Sequence, residues 1–308
     1  PATLAFLKGN SFSAAVGVYK KFDTEYGEQN DFTKAALKLN LGFFRSLPAS
    51  TGSVISYKGY KMGLSIAVPF YDNYRGDISS KGDQVTTINY TDQSLWVGGA
   101  ISKQLNPTTS LGFTLYYTAE NQVRSVNDRS VPTSATAKFF TSERTLTSNS
   151  LVPVFGFYNK VSDRLSGGIS LRLRGFELST TGSYFENYTD VASPDNSTSF
   201  NKLDIQGEVK IPSKLSFGYS YWIAPSLLWV GTLDFYEALT YDDFELSDYS
   251  THIEQRFTTN GSMGLEWAYK SWLKFRTGIF TNFSSLPDPE VGRYNYQPEH
   301  IDQLGFSA

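Results

Sequence analysis

Residues 214–236 read KLSFGYSYWIAPSLLWVGTLDFY. Leu215, Phe217, Tyr219 and Tyr221 alternate with Lys214, Ser216, Gly218 and Ser220, the pattern pauses at Ala224, Pro225 and Ser226, and alternation then resumes. A period of two sends one set of side chains to each face of a strand, and the pause is a turn signal, so the stretch reads as a β-hairpin. The same dyad recurs along the chain. Met62, Leu64, Ile66, Val68 and Phe70 oppose Lys61, Gly63, Ser65 and Ala67, and Leu111, Phe113, Leu115 and Tyr117 oppose Gly112, Thr114, Tyr116 and Thr118. Ile169, Leu171 and Leu173 oppose Ser170, Arg172 and Arg174, and Leu273, Phe275 and Ile279 oppose Lys274 and Arg276. From 203 to 221 the odd positions carry the apolar set, which reads as one strand of unusual length.

Strands of soluble sandwiches average about five or six residues. Those read here are longer and have Tyr, Trp and Phe near their ends, which suits strands that cross a hydrocarbon layer in about 9–11 tilted residues between two aromatic girdles. The 308 residues are enough for one large barrel, aromatics make up 16% of them, and the mean hydropathy is −0.30. Helical spans are excluded, since oily runs such as LVPVFGFY (151–158) are far shorter than about 18 residues. There is no cysteine, hence no disulfide or thiolate site, and a net charge of −3 supplies no general basic patch for nucleic acid. The opening PATLAFLKGN has no basic start or apolar leader and reads as a mature or trimmed chain.

Short turns at 57–60, 105–109, 159–164, 223–226 and 269–271 alternate with polar stretches at 23–47, 72–86, 119–148, 181–199, 241–252 and 284–302, which read as long loops. A hairpin about every fifty residues is the arithmetic of an up-and-down antiparallel barrel. Strands are expected near 10–22, 48–57, 60–71, 88–104, 109–122, 149–159, 165–180, 200–222, 226–240, 253–269 and 272–283, with another from 303. An open edge is costly in lipid, so further strands are expected beyond the last residue given.

Three segments resemble the long-chain fatty acid transporter (FadL-type) family of outer-membrane proteins. PATLAFLKGNSFSAAVGVY (1–19) is similar to its Asn-Pro-Ala segment and first strand, with the Asn missing before Pro1. EVKIPSKLSFGYSYWIAPSLLWVGTLDFYEAL (208–239) and SWLKFRTGIFTNFSSLPDPE (271–290) resemble its paired Trp-containing strands and its Trp-x-Phe-Arg-Thr-Gly strand. The resemblance implies an all-β, transmembrane antiparallel barrel of fourteen strands plugged by an N-terminal hatch. Residues 1–9 are then a hatch remnant and 10–308 the barrel, its last strands missing. The implied function is passive uptake of hydrophobic small molecules such as long-chain fatty acids across a bacterial outer membrane, with membrane lipid and lipopolysaccharide as surroundings and no cofactor. The alternative is a barrel serving as a structural or docking component that binds other envelope proteins.

If the oily set faces lipid, the lumen holds Lys61, Arg172, Arg174, Asp204, Glu208, Lys210, Lys214, Asp234, Glu266, Lys274 and Arg276. An arginine grips a carboxylate in two parallel hydrogen bonds, so Arg172, Arg174 and Arg276, with Lys210 and Lys214, are candidates for a fatty-acid head group. Pairing of these charges with the acidic residues is the competing reading. Lumen aromatics Tyr116, Tyr236 and Trp272 favour apolar cargo. Pro69 cannot donate to a β-ladder, and with Ala67 and Phe70 it borders either a lateral opening, as the resemblance implies, or a plain strand end. Val131, Phe139 and Phe140 are candidates for an external ligand-capture groove. Enzymatic readings find little: His252 and His300 lack metal-ligand spacing, no Gly-x-Ser-x-Gly elbow occurs, and the acidic DDFELSD (242–248) reads as a solvated loop rather than a cation site.

Overall fold

The computed structural model describes residues 2–6, 11–16, 40–41, 49–68, 71–80, 84–131, 137–245, 250, 252–270, 272–287 and 302–307. After a 3-10 helix, Ala2–Phe6, come β1 (Ser11–Val16), β2 (Asn40–Leu41), β3 (Ala49–Tyr57), β4 (Tyr60–Ala67), β5 (Tyr71–Ser80) and β6 (Gln84–Gln104). Next are β7 (Thr109–Ser130), β8 (Lys138–Lys160), β9 (Leu165–Arg172), β10 (Phe176–Asp190), β11 (Thr198–Gln206) and β12 (Lys214–Ala224). The rest are β13 (Leu227–Tyr236), β14 (Leu239–Asp242), β15 (His252–Gln255), β16 (Thr258–Lys270), β17 (Leu273–Asn282) and β18 (Gln303–Ser307). Sixteen of them form one sheet on the path β1-β3-β4-β6-β7-β8-β9-β12-β13-β16-β17-β18, extended at the end away from the short turns by β2, β5, β10 and β11; β14 and β15 form a separate pair. Every pairing is antiparallel.

The sheet is inside-out by the standards of a water-soluble protein. Leu64 is 55% exposed and Phe275 52%, with Ile101, Leu115, Phe155, Ile169, Leu171, Phe217, Leu233, Leu265 and Ile279 also on the outer face. Ser110, at 0%, Thr114, Thr118, Ser148 and Ser150 are buried on the inner face. Burying one large apolar side chain gains about 1.5–3 kcal/mol. A dozen left in water would withhold more than the ~5–15 kcal/mol by which a domain is normally stable. The outer face is therefore bathed by hydrocarbon, and the strands span a membrane. The sheet curls around the 3-10 helix, which touches β4, β6, β7 and β8, with Ala2 and Ala5 buried and the Ser110 hydroxyl donating to the Ala2 carbonyl at 2.9 Å.

Two interruptions lie at one height. Between Ala67↔Trp96 and Tyr71↔Gln93 the β4–β5 side advances four residues while β6 advances three. Between Arg172↔Val154 and Phe176↔Leu151 the β9–β10 side again advances four against three on β8. Trp96, Thr118, Ser150 and Glu177 pair in sequence across the panel between them. Pro153 explains the second. Its carbonyl accepts from the Leu173 N–H at 3.0 Å, so that edge of β8 faces the break, and proline has no N–H to offer it.

Four expectations are corrected. The polar stretches 72–86, 119–148 and 181–199 are mostly strand: β5–β6, β7–β8 and β10–β11 run on as long hairpins. Their Thr, Val and Tyr residues favour strands, a preference outweighed in the sequence by Ser and Asn. The single strand expected over 200–222 is two, β11 and β12, and its odd-numbered apolar residues change sides. Leu203 is 63% exposed, Ile205, Val209 and Ile211 are buried, and Phe217 is exposed again. Asp204, at φ 54°, inserts the first shift, and the Pro212 segment between the strands accommodates the second. Thus Ile205, Val209 and Ile211 are the inward residues there, not Glu208 and Lys210. The acidic 242–248 segment is not uniformly solvated either, since Asp243 and Phe244 are buried. Trp272 lies outside the lumen, 75% exposed just before β17.

Candidate functional site

The lumen is organised in three levels. Nearest the short turns is a chamber of about 300 Å³. The helix residues Ala2 and Thr3 close one side, and Tyr158, Ser166, Gly168, Ser170, Ser216, Gly218, Ser220 and Thr232 line the wall. Inward positions of β9 and β12 here are only Gly or Ser, which makes the room. The Ser166 and Ser220 hydroxyls are 2.6 Å apart across the strand pair, satisfying each other rather than protruding. A Cβ at Gly218 would meet nothing nearer than 3.9 Å, so the space there is real.

Arg172 and Lys214, paired in register, are the next inward residues along β9 and β12 after Ser170 and Ser216. Lys214 is neutralised by Asp234 at 2.9 Å and lies 5.1 Å from the Tyr236 ring. Arg172 hydrogen-bonds only to a carbonyl among the described residues: its Nη2 donates to Pro212 O at 3.0 Å, its guanidinium lies 5.7 Å from the Trp96 ring, and its buried Nε has no partner among them. Asp234, paired with Lys214, acts on this guanidinium only through space, and a buried guanidinium hydrogen-bonded to no carboxylate among the described residues is a local demand for an anion. Beside it Trp96, Val152 and Ile211 form a buried cluster with Ala67, Tyr116 and Val154 against it.

Farther from the turns, outside the membrane span, a second cluster joins Leu146, Ile205, Val209 and Phe244, with Tyr184 packed on it. Phe244 is 1% exposed. It gets there because the chain after β14 folds back beside β11: Gly207 bridges Phe244, Glu208 N donates to Asp243 O at 3.0 Å, and Glu245 N donates to Gln206 O at 3.1 Å. Glycine is required at two contacts, since a Cβ would sit 2.6 Å from the Phe244 ring at Gly182 and 2.5 Å from Asp243 O at Gly207. Arg144 pairs with Asp243 and stacks 4.4 Å from the Phe244 ring. Burial holds the Arg144 guanidinium below its ordinary pKa while Asp243 opposes that shift. Burial, then the hydrogen bond to Glu186, pushes the Tyr184 phenol up to about 12, so it remains a donor.

Of the five cations singled out from sequence, only Arg172 and Lys214 come together. Arg174 pairs with Glu237, Lys210 with Glu208 at 2.9 Å, and Arg276 shares Glu266 with Lys274 at 2.7 Å each. Phe139 and Phe140 are consecutive on β8 and so project from opposite faces, and Val131 follows the end of β7. Ala67 packs against the Trp96 cluster, while Pro69 and Phe70 lie outside the described residues. Sequence reasoning passed over Trp96 and Phe244 as ligand-side residues and the Gly/Ser wall altogether. Its signal was SGGIS (166–170) and SFGYS (216–220), where the inward positions are all Gly or Ser.

A Pseudomonas aeruginosa FadL homologue superposes with a TM-score of 0.62 at 14% identity, over 99% of this chain and 78% of that one. A deltaS2S3 mutant of the monoaromatic hydrocarbon channel TodX gives 0.65 at 12%, over 99% and 82%. The fold is that of the FadL-type barrels. The Ralstonia pickettii toluene transporter TbuX gives 0.55 at 14%, over 91% of this chain and 79% of that one. No protein-family model and no curated protein sequence matches the chain. At such identities the likeness to FadL-type barrels is one of architecture, and individual residues are read from this chain alone.

Proposed function

We propose that the protein is an outer-membrane channel for passive uptake of hydrophobic small molecules. The observation that carries this reading is the Gly/Ser-walled recess on the inner face of a hydrocarbon-facing barrel, with Arg172 one inward position beyond Ser170 of its wall. A volume of about 300 Å³ is at the lower end of ordinary small-molecule sites. The reading is also supported by the fold neighbours, whose names specify a FadL homologue, a toluene transporter and a monoaromatic hydrocarbon channel.

The mechanism uses binding energy alone. A hydrophobic molecule leaves water for the chamber at a gain of about 25 cal/mol per Å² of apolar surface, and a polar or carboxylate end finds the Arg172 guanidinium. A long-chain fatty acid meets both requirements and is the cargo we favour. Ala67, which ends β4 at the first wall interruption, together with Pro69 and Phe70 of the sequence that follows, is the proposed lateral exit toward the bilayer. Val131, Phe139 and Phe140 are proposed to flank the external capture surface, with Phe139 and Phe140 on different faces of it. The test is uptake of a labelled fatty acid and of a monoaromatic hydrocarbon by cells whose only such channel is this protein, together with mass spectrometry of molecules extracted from the purified barrel. Uptake no greater than in cells without the protein, with an empty barrel, rejects the proposal.

A further inference from the structure

We infer that the lipid-facing wall carries a binding site for one glycerophospholipid of the leaflet at the short-turn end. This rests on the membrane-spanning fold, not on the transport reading. A furrow of about 420 Å³ crosses the outer face of β4, β6, β7, β8 and β9. Its apolar bed includes Ile101, Leu111, Phe113 and Phe155. These occupy adjacent register positions, Ile101↔Phe113↔Phe155 in one row and Lys103↔Leu111 in the next. A smooth barrel wall offers lipid tails only passing contact, whereas a furrow several strands wide, with about 4.8 Å between strands, can hold an acyl chain along its length.

The furrow ends in polar groups of the right kind. Lys103 and Tyr60 line it, directly paired across β4 and β6, with the Lys103 ammonium 3.5 Å from the Tyr60 hydroxyl and 5.1 Å from its ring. Lys103 is one residue from the end of β6 and Tyr60 is the first residue of β4, so both sit at the aqueous rim of the span. Neither residue meets a carboxylate among the described residues. An ammonium and a phenol at the end of an apolar furrow match a phosphodiester with an acyl chain attached: the cation faces the phosphate, the hydroxyl donates to it, and the chain lies in the bed. Lipid A offers phosphates and acyl chains too, but belongs to the leaflet at the opposite end if the short turns are periplasmic.

The test is native mass spectrometry of the full chain released from detergent with phosphatidylglycerol, phosphatidylethanolamine or lipid A added separately. One phospholipid should survive activation that strips further copies. Lys103→Gln should weaken that first adduct about tenfold, the order of a lost charge-assisted hydrogen bond. Ile101→Trp, which fills the furrow, should weaken it with the charge intact, and Lys270→Gln, the same change elsewhere on the rim, should not. The inference is overturned if Lys103→Gln and Ile101→Trp retain lipid like the parent, if Lys270→Gln weakens it equally, or if lipid A or a second copy of the chain is held in preference. Uptake measurements are unaffected by these outcomes, so a failure here leaves the channel proposal standing.

Discussion

Replacing Phe244 by Ala tests whether the segment after β14 is held in the barrel by its own packing. Phe244 is 1% exposed among Leu146, Ile205 and Val209, a setting in which Phe→Ala costs about 3–5 kcal/mol. What else binds the segment is comparable: two backbone hydrogen bonds at 3.0 and 3.1 Å, each worth about 1 kcal/mol, and the largely buried Arg144–Asp243 pair. At 1.36 kcal/mol per decade, the loss raises the population released from the barrel by about two to four decades. Hydrogen exchange of the folded barrel, read on peptides covering 239–245 and 205–211, should lose protection by that factor. Peptides from β12 and β13 should not change, because their ladders do not involve Phe244. Phe244→Leu, which keeps most of the volume, should stay near the parent. Unchanged protection of 239–245 in Phe244→Ala, with the barrel still folded, refutes the packing argument.

Four further outcomes are expected. Arg172→Gln should lower retention of an anionic amphiphile about tenfold and leave a neutral aromatic hydrocarbon unchanged, measured by equilibrium binding to the purified barrel; equal losses for both would remove Arg172 from the site. Gly218→Leu should cut uptake while leaving thermal stability near the parent, since a Cβ there has open space to 3.9 Å; normal uptake would mean that cargo does not use the chamber. Gly207→Val should shift Phe244 and reproduce the exchange phenotype of Phe244→Ala, because its Cβ would sit 2.5 Å from Asp243 O. Asp163, in a turn outside the membrane, is held below its ordinary pKa first by the hydrogen bond from Lys160. Any contribution is therefore present above the unfolded carboxylate pKa and lost as pH falls through the lower folded value. Since both groups are solvated, Asp163→Asn should leave the unfolding midpoint at neutral pH where it was; a clear drop would contradict solvent screening of that pair.

The amino-acid sequence by itself determined the medium and the architecture. Alternation as regular as Met62, Leu64 and Ile66 against Lys61, Gly63 and Ser65 commits one face of each strand to an apolar medium, and the length of the strands with aromatics near their ends makes that medium hydrocarbon. Turns such as Asn106–Thr109, closed by the Asn106 side chain accepting from Thr108 and Thr109 N–H, are equally local and equally legible. Tertiary structure decided phase and partnership. Alternation at 203–221 cannot reveal that Asp204 and Pro212 shift it twice, because a shift of one residue leaves the composition of a stretch untouched while exchanging its faces. Nor can one chain segment announce its partner. Arg172 and Arg174 look alike in sequence, yet Arg174 meets Glu237 while Arg172 meets a carbonyl and an indole, because residues more than thirty positions away arrive at those places when the sheet curls.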